Sequence, residues 1–382
     1  MTKKICIVVA SRANYGRIKS VMQSINSHPK LELQLIVGAS ALLYRFGKVV
    51  DLIQADGFNI DSRLFSIVEG ENLITMAKSV GLGIIELTTQ FENLRPDIVL
   101  TVADRFETMA TAIAASYMNI PIAHTQGGEL TGSIDESVRH AITKLSHLHF
   151  VSNEAAKDRV VKMGENKDYV FNTGCPAIDI ISNIDLSLPQ NFFDENVGVG
   201  HLLDKTQPYL VVLQHPVTTE FGLGIKQIGA TLEAVSKLGV QTAWLWPNID
   251  AGSDDISKGL RVFREQNPRV PIRFYRNFST DNYARLIKNS SCLIGNSSSG
   301  IREAAFLGVP SVNIGSRQNL RERGDNVIDV GYSSKEIYDA ICLQIQHGHY
   351  ASNELYGDGQ SGDRIANILS EVTPPVQKMM SY

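Results

Sequence analysis

Anion binding and proton transfer are the two kinds of chemistry that the polar residues of this sequence could perform. In the second half, Leu293-Ile294-Gly295-Asn296-Ser297-Ser298-Ser299-Gly300-Ile301-Arg302-Glu303 ends an apolar run in small, hydroxyl-bearing residues and leads into a helical pattern. Small residues let a backbone approach a ligand closely, and the free N–H groups and positive dipole end of a helix suit a phosphate. Glu303, about one turn into that helix, could accept hydrogen bonds from ribose hydroxyls; alternatively Ser297 or Ser298 caps the helix with no ligand. His215, in Gln214-His215-Pro216, and Asn248, in Trp246-Pro247-Asn248, also follow apolar runs. Arg317, Arg321 and Arg323 offer cations to a diphosphate, or pair with Glu322 and Asp325.

The first half adds a cation and several carboxylates. Arg12 follows the first apolar run and opens a helix, where its fork of donors could meet an anion or stay a surface arginine. No GxGxxG spacing accompanies it, so a dinucleotide cofactor has no support. Asp104 and Arg105 follow DIVLTV (97–102), and Glu129 closes His124-Thr125-Gln126-Gly127-Gly128-Glu129. Asp135, Glu136 and Arg139 open the next helix, where an early acid is also an ordinary choice. One such acid says little. Their placement after neighbouring strands, together with an anion-binding half, is what a sugar-nucleotide enzyme would need.

The elements that must position these residues alternate in type. Apolar runs at 5–10, 31–38, 97–102, 120–125, 148–152 and 169–174 are separated by amphipathic stretches at 15–27, 71–94, 105–118 and 134–146. Strands apolar throughout and spaced by helices predict a parallel sheet covered on both faces. The polar stretch 183–206 reads as a connection, after which alternation restarts at 209–214, 241–246, 270–275, 291–296 and 310–315. The expected class is α/β, with two Rossmann-like domains facing a central cleft. Residues 1–182 form the first, joined by the C-terminal helical segment 361–382, and residues 183–360 form the second. Ligands of such sheets bind outside the strand carboxyl ends, so the loops after strands carry the function.

Composition bounds the rest. A chain of 382 residues is long for one core and predicts two of roughly 150–200 residues each. A net charge of -4 argues against wholesale nucleic-acid binding. The four cysteines, Cys6, Cys175, Cys292 and Cys342, show no CxxC pair or metal-ligand spacing and read as reduced thiols. No apolar stretch reaches the ~18–20 residues that span a bilayer, and Met1 runs straight into a core strand without a signal-peptide pattern. The expectation is a cytoplasmic protein with no membrane or nucleic-acid partner.

Seven segments in order, ADRFE (103–107), GGELTGSIDESVRHAITKLSH (127–147), LQHPVTT (213–219), PNIDAGS (247–253), IGNSSSGIRE (294–303), GSRQ (315–318) and YGDG (356–359), resemble those of the hydrolysing UDP-N-acetylglucosamine 2-epimerases. That family includes bacterial enzymes of sialic-acid synthesis and the epimerase half of the animal bifunctional epimerase/kinase. The resemblance runs from about Ile5 to Leu369, and with the chain stopping at Tyr382 no kinase domain is expected. It implies a GT-B fold with UDP held mainly by the second domain. Phosphates would lie near Arg12, Arg105, His215, Ser297, Ser298 and Arg317, the ribose at Glu303, the uracil at the loop around Phe278, and Asn248 in the same cleft. It also implies a homo-oligomer, dimer or tetramer, built through the first domain, and neither a cofactor nor a metal.

The implied reaction eliminates UDP across C1 and C2 to give a 2-acetamidoglucal, which adds water with inversion at C2 to yield N-acetylmannosamine. The resemblance assigns proton transfer and water addition to Asp104, Glu129 and Asp135, oriented by Arg139, and leaving-group stabilisation to the cations and His215. Three positions depart from the family: Gln126 where many members carry a carboxylate, Asn14 where they carry an acid, and Ala41 where they carry a histidine. Glutamine exchanges no proton near neutral pH. Losses on the sugar side raise the same reaction on UDP-2,4-diacetamido-2,4,6-trideoxyglucose (UDP-N,N'-diacetylbacillosamine), en route to legionaminic acid. A GT-B glycosyltransferase and a silent UDP-sugar sensor are the competing classes.

Overall fold

A computed structural model describes residues 2–70, 72–248 and 250–381. The chain divides into two compact units. The first comprises Met1–Glu129, Ile134–Asn183 and Tyr356–Tyr382, and the second Leu130–Ser133 and Ile184–Leu355.

In the first unit, strands Lys3–Val9 (β1), Leu31–Gly38 (β2), Ser62–Leu64 (β3), Ile98–Val102 (β4), Ile122–Thr125 (β5), Leu148–Val151 (β6) and Val170–Asn172 (β7) form one sheet in the order β3-β2-β1-β4-β5-β6-β7. All of its pairs are parallel. Strand β1 shows why the runs are apolar throughout. Ile5, Ile7 and Val9 pack with Ile18 and Met22 of the helix Arg12–Ser27, while Cys6 and Val8 face Leu87 and Phe91 on the opposite side. Each fully buried aliphatic side chain contributes about 1.5–3 kcal/mol, so either face of the sheet is a core in its own right.

The second unit repeats the plan with Gly198–Gly200 (β8), Tyr209–Leu213 (β9), Gln241–Leu245 (β10), Ile272–Tyr275 (β11), Cys292–Gly295 (β12), Ser311–Ile314 (β13) and Val327–Val330 (β14), ordered β14-β13-β12-β9-β10-β11-β8. Only β8 runs antiparallel, on the edge beside β11. In both sheets the winding direction reverses, between β1 and β4 and between β9 and β12, and crevices outside such reversals are where open α/β sheets bind ligands.

Three readings of the sequence need correction. The stretch 183–206 is no bare connection, because it contributes β8 and a short helix, Phe192–Glu195, whose buried Phe192 stacks on Phe278 at 5.9 Å. Buried Phe192, Phe193 and Leu203 and the pairing of β8 with β11 anchor it. The helix after β12 does not begin at the serines. A 3-10 turn, Ser298–Gly300, comes first, and Glu303 opens the helix Glu303–Leu307 instead of lying a turn inside it. Strands β3, β8 and β14 escaped the pattern because they are three or four residues long and lie at or beside sheet edges, with partly exposed faces.

The last helix, Ser361–Glu371, belongs to the first unit. Asp179 accepts the N–H groups of Ser361 and Gly362 at 2.9 and 2.6 Å, satisfying donors that a helix start leaves open. A side chain at Gly362 would sit 2.9 Å from the Ser20 backbone, so glycine permits the close helix contact. Among the described residues, no helix is long and apolar enough to cross a membrane.

Candidate functional site

In the first unit the winding reversal is tied by Asn14. Its side-chain oxygen accepts the Ala10 N–H (3.3 Å) and its amide donates to the Val102 carbonyl (3.4 Å), joining the ends of β1 and β4. The helix Arg12–Ser27 begins there, capped by Ser11, which accepts the Asn14 N–H at 3.2 Å. Arg12 is thus the first helical residue, partly exposed.

The acids expected from the sequence meet beside this point. Arg139, fully buried on the helix Asp135–Leu145, ion-pairs with Asp104 and donates to the Glu129 carbonyl at 2.6 Å. The Glu129 carboxylate, also fully buried, accepts the Ser152 hydroxyl at 2.7 Å. Loops after β4 and β5 therefore converge on one arginine, and the loop after β6 holds the Glu129 carboxylate. Asp135 stands at the start of that arginine's helix and is partly exposed. Arg105 grips Glu107 with two bonds, at 3.1 and 3.3 Å, so its guanidinium already has a carboxylate partner.

His124 is structural. Its Nε2–H donates to the Ala103 carbonyl (2.8 Å), Nδ1 faces the Thr143 hydroxyl (3.3 Å), and burial drives its pKa down to about 3. A neutral ring at working pH fixes the left-handed turn at Ala103 (φ 60°) that presents Asp104. Gln126 is also buried and left-handed (φ 63°); its amide donates to the Cys175 sulfur at 3.0 Å. Ala41 is fully buried, its N–H bonded to the Ala10 carbonyl at 3.1 Å.

In the second unit the reversal is tied by a different asparagine. Asn296 accepts the His215 N–H (2.7 Å) and donates to the His215 carbonyl (2.9 Å), locking the loop after β9 to the loop after β12. Gly295 makes the approach possible at φ 129°, where a Cβ would lie 2.1 Å from the Leu213 carbonyl oxygen. The Asn248 N–H donates to His215 Nδ1 at 3.1 Å, which requires that nitrogen to be unprotonated and puts the ring proton on Nε2. His215 is thereby set as a hydrogen-bond donor.

Arg317, after β13, donates to the Asn296 carbonyl (3.3 Å) and stands 3.7 Å from Asp250, which itself accepts the Asn248 amide (2.6 Å). Four strand ends, those of β9, β10, β12 and β13, thus share one network. Ser297 caps the 3-10 turn through the Ser299 N–H (3.3 Å), and Ser298 is buried. Glu303 is half-buried. Phe278 is buried between Phe192 and Tyr275. Ile249, inside PNIDAGS, lies outside the described residues.

Sequence reasoning did not single out Ser152, Glu107 or Glu220. Glu220 accepts from Ser316, Gln227 and Tyr332 (3.0 Å from Tyr332), bracing the loop that carries Arg317. Ser152 and Glu220 take partners distant in the chain, Glu129, Ser316 and Tyr332, whereas Glu107 pairs with the nearby Arg105. Among the described residues, no group of three or more His, Cys, Asp or Glu could hold a metal ion.

The profile of the family described as UDP-N-acetylglucosamine 2-epimerase matches residues 23–370. The chain is 34% identical to UDP-N,N'-diacetylbacillosamine 2-epimerase (hydrolyzing) of Legionella pneumophila, over 97% of both chains. It is 30% identical to UDP-N-acetylglucosamine 2-epimerase of Neisseria meningitidis, over 96% of this chain and 95% of that one. A crystal structure of UDP-GlcNAc 2-epimerase from Neisseria meningitidis bound to UDP-GlcNAc superposes with a TM-score of 0.77 at 20% identity, covering 96% of this chain and 99% of that one. At that identity the likeness shows the fold, an α/β architecture of GT-B type.

Proposed function

The chain belongs to the UDP-N-acetylglucosamine 2-epimerase family, and on that premise we propose that it is a hydrolysing epimerase converting UDP-N-acetylglucosamine to UDP and N-acetylmannosamine. The observation that carries the reading is the network in which His215, Asn248, Asn296 and Arg317 join four strand ends of the second unit. We assign UDP to that unit, with Ser297 and Ser298 beside the phosphates, Glu303 at the ribose and the Phe278 loop at the base. Arg12 and Arg105 are assigned to the phosphates from the first unit.

The reaction then divides by charge. A base removes the C2 proton while the C1–O electron pair departs with UDP, leaving a 2-acetamidoglucal. Water adds its oxygen to C1, and a proton reaches C2 from the opposite face. The C2 proton is not acidic, so elimination leans on stabilising the departing diphosphate, for which fixed donors such as Arg317 and the Nε2–H of His215 are suited. Asp104, Glu129 and Asp135 are the proposed proton-transfer groups. Arg139 holds Asp104 and the Glu129 backbone in place, which supports its orienting role.

A second reading, the same reaction on UDP-2,4-diacetamido-2,4,6-trideoxyglucose, is favoured by Gln126. Its buried amide bonds to Cys175 and cannot act as a general acid or base near neutral pH. The Legionella relative's name points the same way. The product of either reading is the kind of sugar that feeds sialic-acid-type synthesis. Turnover of each UDP-sugar, followed by UDP release and identification of the free sugar, decides between them. Free N-acetylmannosamine formed faster than the diacetamido product supports the first reading, and the reverse order supports the second. Release of an intact UDP-linked manno sugar, or transfer to an acceptor, would overturn both.

A further inference from the structure

Beyond its last helix the chain continues as a strap, residues 373–381, laid along the first unit. The His147 Nε2–H donates to the Val376 carbonyl (2.9 Å), because His147 Nδ1 already accepts the Ile122 N–H (3.1 Å). The Ser381 N–H donates to the Gly164 carbonyl at 3.0 Å. Between them, the Lys378 ammonium donates to the Ser146 carbonyl (2.7 Å), to the Thr143 carbonyl (3.5 Å) and to the Glu165 carboxylate (2.6 Å). Glu165 also takes Lys144 at 2.5 Å and His149 at 3.1 Å.

The two carbonyls that Lys378 holds lie at the carboxyl end of the helix Asp135–Leu145. The Thr143 carbonyl also accepts the Ser146 N–H (3.1 Å) that closes the helix, and a cation at this end complements the helix dipole. The same helix carries Asp135 in its first turn and Arg139 one turn on, and Thr143 touches both the Arg139 carbonyl (3.0 Å) and His124. The strap therefore grips one end of the element whose other end aligns Asp104 and Glu129.

The geometry points to Lys378 as a positioning residue: by clamping the carboxyl end of this helix it keeps Arg139 and Asp135 in register for proton transfer. The inference rests on the reaction proposed above. Lys378 touches neither the acids nor Arg139 and acts only through the helix.

The test compares the full chain with Lys378→Ala, Lys378→Gln, Lys378→Arg and a chain ending at Pro374. Three quantities are read: kcat for UDP-sugar hydrolysis, Kd for UDP by calorimetry, and amide exchange across Asp135–Leu145. Expected are a tenfold or greater fall in kcat and faster exchange in that helix for Lys378→Ala and for the shortened chain. UDP affinity should stay within twofold, and Lys378→Arg should recover most of kcat. Unchanged kcat in a folded variant overturns the proposal, as does a fall in kcat matched by an equal loss of UDP affinity. If Lys378→Ala does not fold, Lys378→Gln, which keeps a donor for Ser146, carries the same comparison. Should the wild-type protein turn over neither UDP-sugar, the reaction reading fails, while unchanged exchange in the variants would separately overturn the clamp.

Discussion

Asn14 and Asp104 illustrate what a residue's type reveals and what only its surroundings do. The absence of an acid at Asn14 marked a departure from the family; the structure gives it a physical reason, since a carboxylate could not donate to the Val102 carbonyl. Asn14→Asp is expected to cost about 1–3 kcal/mol of stability, measured by denaturant titration, because a buried acceptor loses its donor. Asp104→Asn should lower kcat about 10²–10⁴-fold while leaving UDP affinity unchanged, as removal of a proton-transfer group does. His215→Ala should weaken UDP binding about 10–100-fold by calorimetry, the loss of one hydrogen bond to a charged group. The acids and cations were legible as types placed after strands. Their partners were not: Ser152 lies 23 residues from Glu129, and nothing in a linear pattern links them. Burial likewise makes His124 a neutral brace.

Elements were legible where they are long and apolar on both faces, and illegible where they are short or at an edge. Gly295 shows how much one position in such an element can decide. At φ 129° beside the Leu213 carbonyl, Gly295→Ala is expected to separate β12 from β9 and to abolish UDP binding in whatever soluble protein is recovered. The helix Asp135–Leu145 and its strap give a pH dependence. Burial alone would raise the pKa of Glu165, but hydrogen bonds from His149, Lys144 and Lys378 outweigh it and bring it from 4.5 to about 2. A carboxylate depressed in the folded state stabilises fully above its unfolded value, and that contribution is lost as pH falls from about 4.5 toward 2. Glu165→Gln should accordingly lower stability near neutral pH and flatten its decline across that window, as read from denaturation midpoints. An equally steep decline in the variant would assign the acid lability to other groups.

At the scale of the whole molecule, the alternation of apolar runs and helices was enough to read two doubly wound sheets, because a parallel strand buried on both faces has no other pattern available. The stretch 183–206 was misread because its anchors, Phe192, Phe193, Leu203 and the three-residue β8, are too few and too scattered to register as a period. Substrate choice was the least legible property, since the burial of a side chain such as Gln126 and its bond to Cys175 cannot be read from a linear pattern. The central claim, elimination through a glycal followed by hydration, is tested most directly by proton NMR of turnover in deuterated water. The account predicts UDP together with a free manno-configured 2-acetamido sugar that carries deuterium at C2 from the first turnover. A product that keeps its C2 proton, or a UDP-sugar recovered unchanged beside tightly bound UDP, would contradict it.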